Sequence, residues 1–348
     1  MAHYISAIYQ LFPGTPMYTE NDIPDLSGKV YLVTGANTGI GKEVARILYS
    51  KNAAVWIAAR NAEKGTNAIT SIKDAHPSSN GRLEFLQLDL SDLATIKTSA
   101  DAFCAKEKRL DVLFNNAGVM FPPNGSKTKQ GHELQLGTNC LGPFLFTQFL
   151  TPTLITTAKT ASEGSIRVVW VSSSAAEHLN PKGGIDLDNL DYKRNAFYAW
   201  KYGISKVGNY YQATEYARRH RDDGIVSVSL NPGNLKSELD RNCNFAEMVF
   251  RHATTYPTVV RIQNPAGSMK LTLLTRFYAL KNGAYTELFA GISDEVNLEN
   301  SGAWIVPWGR IENIRKDLLE GSKPEEVGGT AIAQKFWKWC EDQTSPYA

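Results

Sequence analysis

The chain is poor in cysteine: Cys104, Cys140, Cys243 and Cys340 are widely spaced, with no Cys-x-x-Cys pair. That spacing argues against a disulfide framework and against a zinc cluster, and it suits a reducing compartment. A surplus of one charge is also missing, since 37 Lys and Arg face 35 Asp and Glu for a net charge of +2. Nothing therefore points to nucleic acid or an anionic membrane surface as a partner. Long apolar runs are absent as well. Residues 4–12, Tyr-Ile-Ser-Ala-Ile-Tyr-Gln-Leu-Phe, are too few to cross a bilayer and lack the basic flank and cleavage site of a signal peptide. A short amphipathic helix packed on the body is expected there, with a peripheral membrane or substrate-channel contact as the alternative. Asn124-Gly125-Ser126 has the form of a glycosylation sequon, but nothing else suggests secretion, and a cytoplasmic protein is expected. No repeat, low-complexity tract or linker divides the chain. One domain over 1–348 is expected, with an N-terminal extension at 1–26, a substrate-lid region at 233–265 and a C-terminal extension at 302–348.

What is present is ordinary globular material, 43% hydrophobic and 21% charged, enough to bury a sizeable core. Strand-like runs at 30–34, 54–59, 83–88, 110–114, 166–171 and 225–230 alternate with helical stretches at 42–50, 93–106, 134–150 and 205–220. A further apolar run lies at 303–306. The strands are rich in Val, Ile and Leu with little alternation, as in strands covered on both faces. Repeated β-α-β units predict an α/β fold with a doubly wound parallel sheet of about seven strands and helices on both faces. Two stretches break the rhythm, an inserted loop at 177–200 and the irregular segment at 233–265; long irregular segments often serve as lids.

The run from Val30 to Gly41 joins an apolar strand to a tight loop with Gly35, Gly39 and Gly41, followed directly by an amphipathic segment. Glycine permits backbone angles that a Cβ forbids, and the free N–H groups and positive dipole end of the following helix suit a phosphate. Alone, three glycines also describe an ordinary strand-to-helix turn. Arg60 follows the second strand, 19 residues after Gly41, where a β-α-β nucleotide site meets the adenosine ribose. An acid there suits the 2′-hydroxyl of NAD and a basic residue the 2′-phosphate of NADP, so NADP(H) is favoured; the alternative is a solvated arginine. Asp89, in Leu88-Asp89-Leu90, ends the third strand and is placed to face the adenine, or to cap the helix that starts near Asp92. Asn115-Asn116-Ala117-Gly118 ends the fourth strand, where small and amide residues let a cofactor lie against the sheet edge, unless it is a plain turn.

Tyr202 and Lys206 stand at i and i+4 and so share a helix face. A phenol titrates near 10 in water, and a nearby ammonium favours the phenolate, which turns tyrosine into a proton-transfer group at neutral pH. Ser172, Ser173 and Ser174 end the preceding strand and suit a substrate carbonyl, or a polar turn. Asn139 lies on the helix after the fourth strand, where it is either functional or a buried amide bonded to backbone.

Taken together these residues resemble the short-chain dehydrogenase/reductase family. Thr34 to Gly41 resembles its cofactor loop, Asn115 to Gly118 its strand-4 motif, and Asn139, Ser173 and Tyr202-x-x-x-Lys206 its catalytic tetrad. Asn231-Pro232-Gly233-x-x-x-Ser237 resembles its Pro-Gly motif, with Ser237 in place of the more usual threonine. The resemblance spans roughly residues 27–281 and implies a Rossmann-type fold. It implies NADP(H) contacts at Gly35, Asn37, Thr38, Gly39, Ile40, Gly41, Arg60, Asp89, Leu90, Asn116, Ala117, Gly118, Tyr202, Lys206, Pro232, Gly233, Leu235 and Ser237. Tyr202 then acts as general acid or base, Lys206 lowers its pKa and holds the ribose, Ser173 orients the substrate oxygen, and Asn139 supports a proton-relay water. Arg60, the long spacing from Ser173 to Tyr202 and the C-terminal extension look most like the retinol-dehydrogenase-like branch, especially its fungal members, which implies bulky lipophilic alcohols, aldehydes or ketones; a lipophilic or biosynthetic-intermediate substrate is expected for this chain. Phe197, Tyr198, Trp200, Leu235, Phe245, Phe250 and Tyr256 are expected to line an apolar substrate pocket, although any one of them suits the core equally. No metal is expected. The resemblance also implies a homodimer or homotetramer paired through the helices that carry Asn139 and Tyr202. Two other readings use the same residues: a non-redox biosynthetic step, such as dehydration, epimerisation or cyclisation, and a non-catalytic nucleotide sensor.

Overall fold

The computed structural model describes residue 6 and residues 9–194, 198–236, 259–263, 269–273 and 278–348. Strands β1 (Val30–Thr34), β2 (Ala54–Ala59), β3 (Arg82–Gln87), β4 (Val112–Asn115), β5 (Ile166–Val171), β6 (Ile225–Leu230) and β9 (Trp304–Val306) run parallel in one sheet. β10 (Arg310–Glu312) adds an antiparallel edge. The order is β10-β9-β6-β5-β4-β1-β2-β3, so the sheet has eight strands rather than about seven. The extra strand is only three residues long with one residue exposed, too short to leave a periodic signature. β7 (Val259–Gln263) and β8 (Met269–Leu273) form a separate antiparallel pair.

Helices α1 (Gly39–Ser50), α2 (Ala62–Ala75) and α6 (Leu280–Ile292) accompany α3 (Leu93–Lys106), α4 (Gly142–Ala158), α5 (Tyr198–Arg219), α7 (Lys316–Ser322) and α8 (Ile332–Thr344). Side chains alternate across each strand, and the sheet builds two cores. Trp56, Trp170, Phe144, Phe336 and Trp337 gather in one, and Val33, Val44, Phe114, Leu288 and Phe289 in the other. Burial on both faces explains why β1, β5 and β6 are buried at every residue and why their sequences do not alternate.

Two elements differ from the expected helices. The stretch at 134–150 is interrupted: a turn at Leu134–Leu136 passes into a π-turn at Gly137–Leu141 before α4 begins. α5 begins at Tyr198 rather than near 205, so the end of the expected loop is helical. The C-terminal extension is packed onto the body. α8 buries Ala333, Phe336, Trp337 and Cys340, the i, i+3, i+4, i+7 spacing of one helix stripe. Trp337 meets Phe144 of α4 edge-on at 4.8 Å and lies 6.3 Å from Tyr216 of α5.

β1 and β4 are neighbours although α1 carries the chain from β1 towards β2 on the other side. Strand order reverses there, and crevices of such sheets open at the carboxyl ends of the strands at that point. Thr34 and Asn115 are the last residues of β1 and β4.

Candidate active site

A cavity of about 660 Å³ opens at that crevice and extends from Arg60 to Leu235. Its walls are strand ends, the loops that follow them and residues of the helical segments beside them, Lys64, Leu134, Thr138, Tyr202 and Lys206 among them. Gly35 leaves β1 at φ +71°, and Gly39 starts α1 at φ +62°, conformations that disfavour a side chain. A Cβ on Gly35 would lie 3.0 Å from Ala117 Cα, and one on Gly41 would lie 2.4 Å from Asn116 Nδ2. The loop is therefore pressed against the end of β4. Asn116 Nδ2 donates to Thr34 O at 2.6 Å, and Ala117 N donates to Thr34 Oγ1 at 2.9 Å. Thr38 caps α1 with extended backbone and no side-chain capping bond, so the first-turn N–H groups have no side-chain cap.

Gly35, Asn37, Thr38, Gly39, Ile40, Arg60, Asp89, Leu90, Asn116, Ala117 and Gly118 all line the cavity; Gly41 does not, and packs behind the loop. Arg60 is exposed at one end beside Asn61, whose side chain caps α2 by accepting from Lys64 N at 2.8 Å. Lys64 lines the same end. It is a second cation that the reading of strand ends missed, one helical turn past the position examined. Asp89 Oδ1 accepts from Ser91 N and Ser91 Oγ at 2.9 and 2.6 Å, while Asp92 caps α3. The two alternatives for Asp89 thus fall to two residues: one lines the cavity and the other caps.

At the opposite end, Ser173, Tyr202, Lys206, Pro232, Gly233 and Leu235 line the cavity, and Ser237 lies outside the described residues. Ser173 is half-buried, and its Oγ accepts from Ala175 N at 3.2 Å. Ser172 also touches the cavity, but its hydroxyl donates to Lys206 O at 2.7 Å. Tyr202 is buried, with its ring 5.6 Å from Phe121 and the Lys206 ammonium 5.8 Å from its ring centre. Lys206 Nζ donates to Val171 O at 2.8 Å and to Asn209 Oδ1 at 3.2 Å. Burial lowers its pKa to about 8, with Cys140 and Glu287 acting in the opposite sense. At neutral pH it is still mostly charged.

Asn139 sits in the π-turn and does not line the cavity. Its Oδ1 accepts from Val119 N at 2.8 Å, and its Nδ2 donates to Val119 O and Ser205 Oγ at 3.0 and 2.9 Å. Its carbonyl accepts from Asn209 Nδ2 at 2.6 Å, so Asn209 joins it to Lys206. A Cβ on Gly118 would stand 3.3 Å from Asn139 Oδ1 and 3.4 Å from Lys206 Nζ, which places the backbone after β4 directly against both.

The apolar lining differs from the expected set. Trp200 is exposed and is not among the cavity residues. Phe197, Phe245, Phe250 and Tyr256 lie outside the described residues, as does the side chain of Tyr198. Of the described residues in that set, Leu235 lines the cavity; Met120, Phe121, Leu134, Ala175 and Leu179 add apolar surface to it. Phe121 holds φ at +45°, a left-handed backbone that costs energy in a bulky residue, and its N–H donates to Gln135 Oε1 at 3.0 Å. Met120 and Phe121 directly follow the Asn115–Gly118 motif, and that adjacency was the available signal. Among the described residues there is no cluster suited to a metal ion and no helix long and apolar enough to cross a membrane.

A family model described as short chain dehydrogenase matches residues 29–185. A short-chain dehydrogenase/reductase of Phomopsis amygdali is 49% identical over 343 residues, covering 97% of this chain and 96% of that protein. Another from Emericella nidulans is 46% identical, covering 95% of this chain and 97% of its own length. Among solved structures, the Pseudomonas aeruginosa RhlG/NADP active-site complex superimposes with a TM-score of 0.60 at 23% identity, covering 84% of this chain and 97% of that one; at that identity the likeness is one of fold.

Proposed function

The chain belongs to the short-chain dehydrogenase/reductase family, and on that premise we propose that it is an NADP(H)-dependent oxidoreductase acting between a carbonyl and an alcohol of a lipophilic or biosynthetic-intermediate substrate. The observation that carries this is one cavity with a glycine loop and two cations at one end and Ser173, Tyr202 and Lys206 at the other. The residues present fit a nicotinamide dinucleotide. The crowding at Gly35 keeps side chains out of the phosphate path, while nothing lies within 4 Å of a Cβ position on Gly39, which leaves open space beside the α1 N-terminus. Arg60 and Lys64 suit a 2′-phosphate, the feature that separates NADP from NAD. Asp89 and Leu90 would meet the adenine, and Pro232, Gly233 and Leu235, near Ser237 in the chain, would hold the nicotinamide end.

When bound, a nicotinamide supplies or takes up the hydride. The chain's own groups handle the proton and the oxygen. In reduction, the Tyr202 phenol gives its proton to the carbonyl oxygen as the carbon gains hydride; in oxidation, the phenolate takes the hydroxyl proton. The Lys206 ammonium beside the ring stabilises that phenolate. Ser173 donates to the same oxygen and eases its developing charge. Asn139 and Asn209 hold Lys206 in register and form the base of a proton-relay path from its Nζ. Met120, Phe121 and Leu179 present an apolar wall, which suits a lipophilic substrate. The retinol-dehydrogenase-like placement agrees with that wall. Self-association into a homodimer or homotetramer is part of the proposal, through whatever surface of α4 and α5 is left uncovered by α8.

The test is a fluorescence titration with NADPH and NADH, followed by turnover of a panel of ketones and aldehydes of rising hydrophobicity. Tyr202→Phe is then expected to lower kcat by about 10²–10⁴-fold with a much smaller change in NADPH affinity. Equal turnover in that variant sinks the mechanism, and cofactor binding with no turnover of any carbonyl or alcohol favours a nucleotide sensor.

A further inference from the structure

Gln10 is only 6% exposed although it lies in the N-terminal extension, ahead of the first strand. Its Nε2 donates to Glu177 Oε2 at 2.9 Å, and its Oε1 accepts from Asn231 Nδ2 at 2.9 Å. Both partners are 2% exposed. Glu177 stands in the helical turn Ala175–His178 that follows the serines, and Ala175 N in that turn donates to Ser173 Oγ. Asn231 opens the Pro-Gly loop, and its Oδ1 accepts from Gly233 N at 3.0 Å. One buried amide thus bridges the segments that follow β5 and β6, which are neighbouring strands, and both segments line the reaction end of the cavity. The strap that carries it is fastened independently: Trp308 Nε1 donates to Gly14 O at 3.1 Å, and Tyr278 Oη donates to Leu11 O at 3.4 Å. Arg315 grips the same turn from the C-terminal extension, donating to Glu177 O at 2.6 Å and Asn180 Oδ1 at 2.7 Å.

We infer that Gln10 is a positioning residue for the reaction, tying the turn behind Ser173 to the loop of Pro232 and Gly233 and so setting the distance between them. The inference rests on the oxidoreductase reading above. Its chemistry is that of a two-sided buried hydrogen bond, in which loss of the bridge leaves a carboxyl and an amide facing each other across a gap. Ser173 moves with the turn, so the damage falls on substrate alignment, where small displacements are costly. The glycine loop and the adenosine end are spared, because Gly35, Arg60 and Asp89 stand at the other end of the cavity; of the cofactor's contacts only those of Pro232, Gly233 and Leu235 are near the change.

Gln10→Ala is expected to lower kcat/KM for the best carbonyl by about tenfold while NADPH affinity stays within about twofold. Arg315 still holds the turn, so the variant should fold. Hydrogen exchange on the protein without cofactor is expected to speed up at 174–180 and 231–235 and not at 35–41. The double variant Gln10→Glu with Glu177→Gln restores a donor opposite each acceptor and should recover both readouts. The inference is overturned by exchange that is unchanged or raised everywhere, by a fall in NADPH affinity as large as the fall in kcat/KM, or by a double variant no better than Gln10→Ala. A wild-type protein that turns over no carbonyl overturns the oxidoreductase reading instead, and the exchange pattern still decides whether Gln10 holds the two loops.

Discussion

The two ends of the cavity are built in opposite ways. The adenosine end comes from one continuous run of chain, β1 through the loop after β3, with Gly35, Arg60 and Asp89 each at a strand terminus. The reaction end is assembled from six stretches, around residues 10, 118–121, 139, 173–179, 202–206 and 231–235, and its bridge joins residues 167 and 221 positions apart. The first end depends on backbone shape and close approach, where a single added carbon on Gly35 or Gly41 has nowhere to go. The second depends on buried hydrogen bonds among distant segments, where each bond contributes little alone and the set fixes the geometry. Damage to the first should appear mainly in cofactor affinity, and damage to the second mainly in how substrate is aligned.

Apart from the loss at Tyr202, the largest expected effect tests that separation at the backbone. Gly41→Val places a branched side chain where a Cβ alone would meet Asn116 Nδ2 at 2.4 Å and Gly35 O at 3.1 Å. Overpacking of this kind costs about 1–3 kcal/mol. NADPH affinity should fall by up to about a hundredfold, with kcat at saturating cofactor nearly unchanged; a fall confined to kcat would break the comparison. Arg60→Asp acts at the same end through charge rather than shape. It is expected to weaken NADPH binding about thirtyfold and leave NADH binding unchanged or improved, read from paired fluorescence titrations. Equal loss for both cofactors would place Arg60 away from the 2′-phosphate and leave Lys64 as the discriminating cation.

The same contrast explains what was legible in the sequence. β1, β2, β5 and β6 stand where their apolar runs placed them, because a strand buried on both faces writes its burial into consecutive residues. The glycine loop and Arg60 were readable because turn chemistry and strand ends are local. The apolar wall was not. Trp200 is aromatic and two residues before Tyr202 in sequence, yet it is exposed, while Met120 and Phe121 come to the wall through a strained turn that no periodicity marks. Gln10 was invisible for a stronger reason: a polar residue in an N-terminal extension gains its role only from Glu177 and Asn231, and no local pattern records partners so far away. The π-turn at 137–141 likewise has no period to detect, and it fixes how Asn139 grips Val119.

The smallest expected effect concerns a charged residue at the reaction end. Lys206 reaches Val171 O at the strand end and lies beside the Tyr202 ring, and burial lowers its pKa to about 8. If its charge supports the phenolate, the rate should fall to about half its plateau near pH 8 and continue down as pH rises. Stability should move the other way. The folded pKa lies below the ordinary value of 10.5, so the cost of burying the charge is full below about pH 8 and fades as pH rises towards 10.5. Glu287, buried on α6 with no hydrogen-bond partner for either oxygen among the described residues, has its pKa raised to about 8 by burial. Its contribution is an acid's: stability is lost as pH rises from its ordinary 4.5 to about 8 and is level beyond. From these two groups the fold is expected to weaken up to about pH 8 and to recover above it, just where the rate declines. Rates and thermal melts taken together from pH 6 to 10 separate the two effects, and Glu287→Gln should flatten the acid side of the stability curve. A rate that falls above pH 8 only as fast as folded protein disappears would remove Lys206 as the titrating group, because discharging Lys206 relieves the fold at the pH where it disables the chemistry.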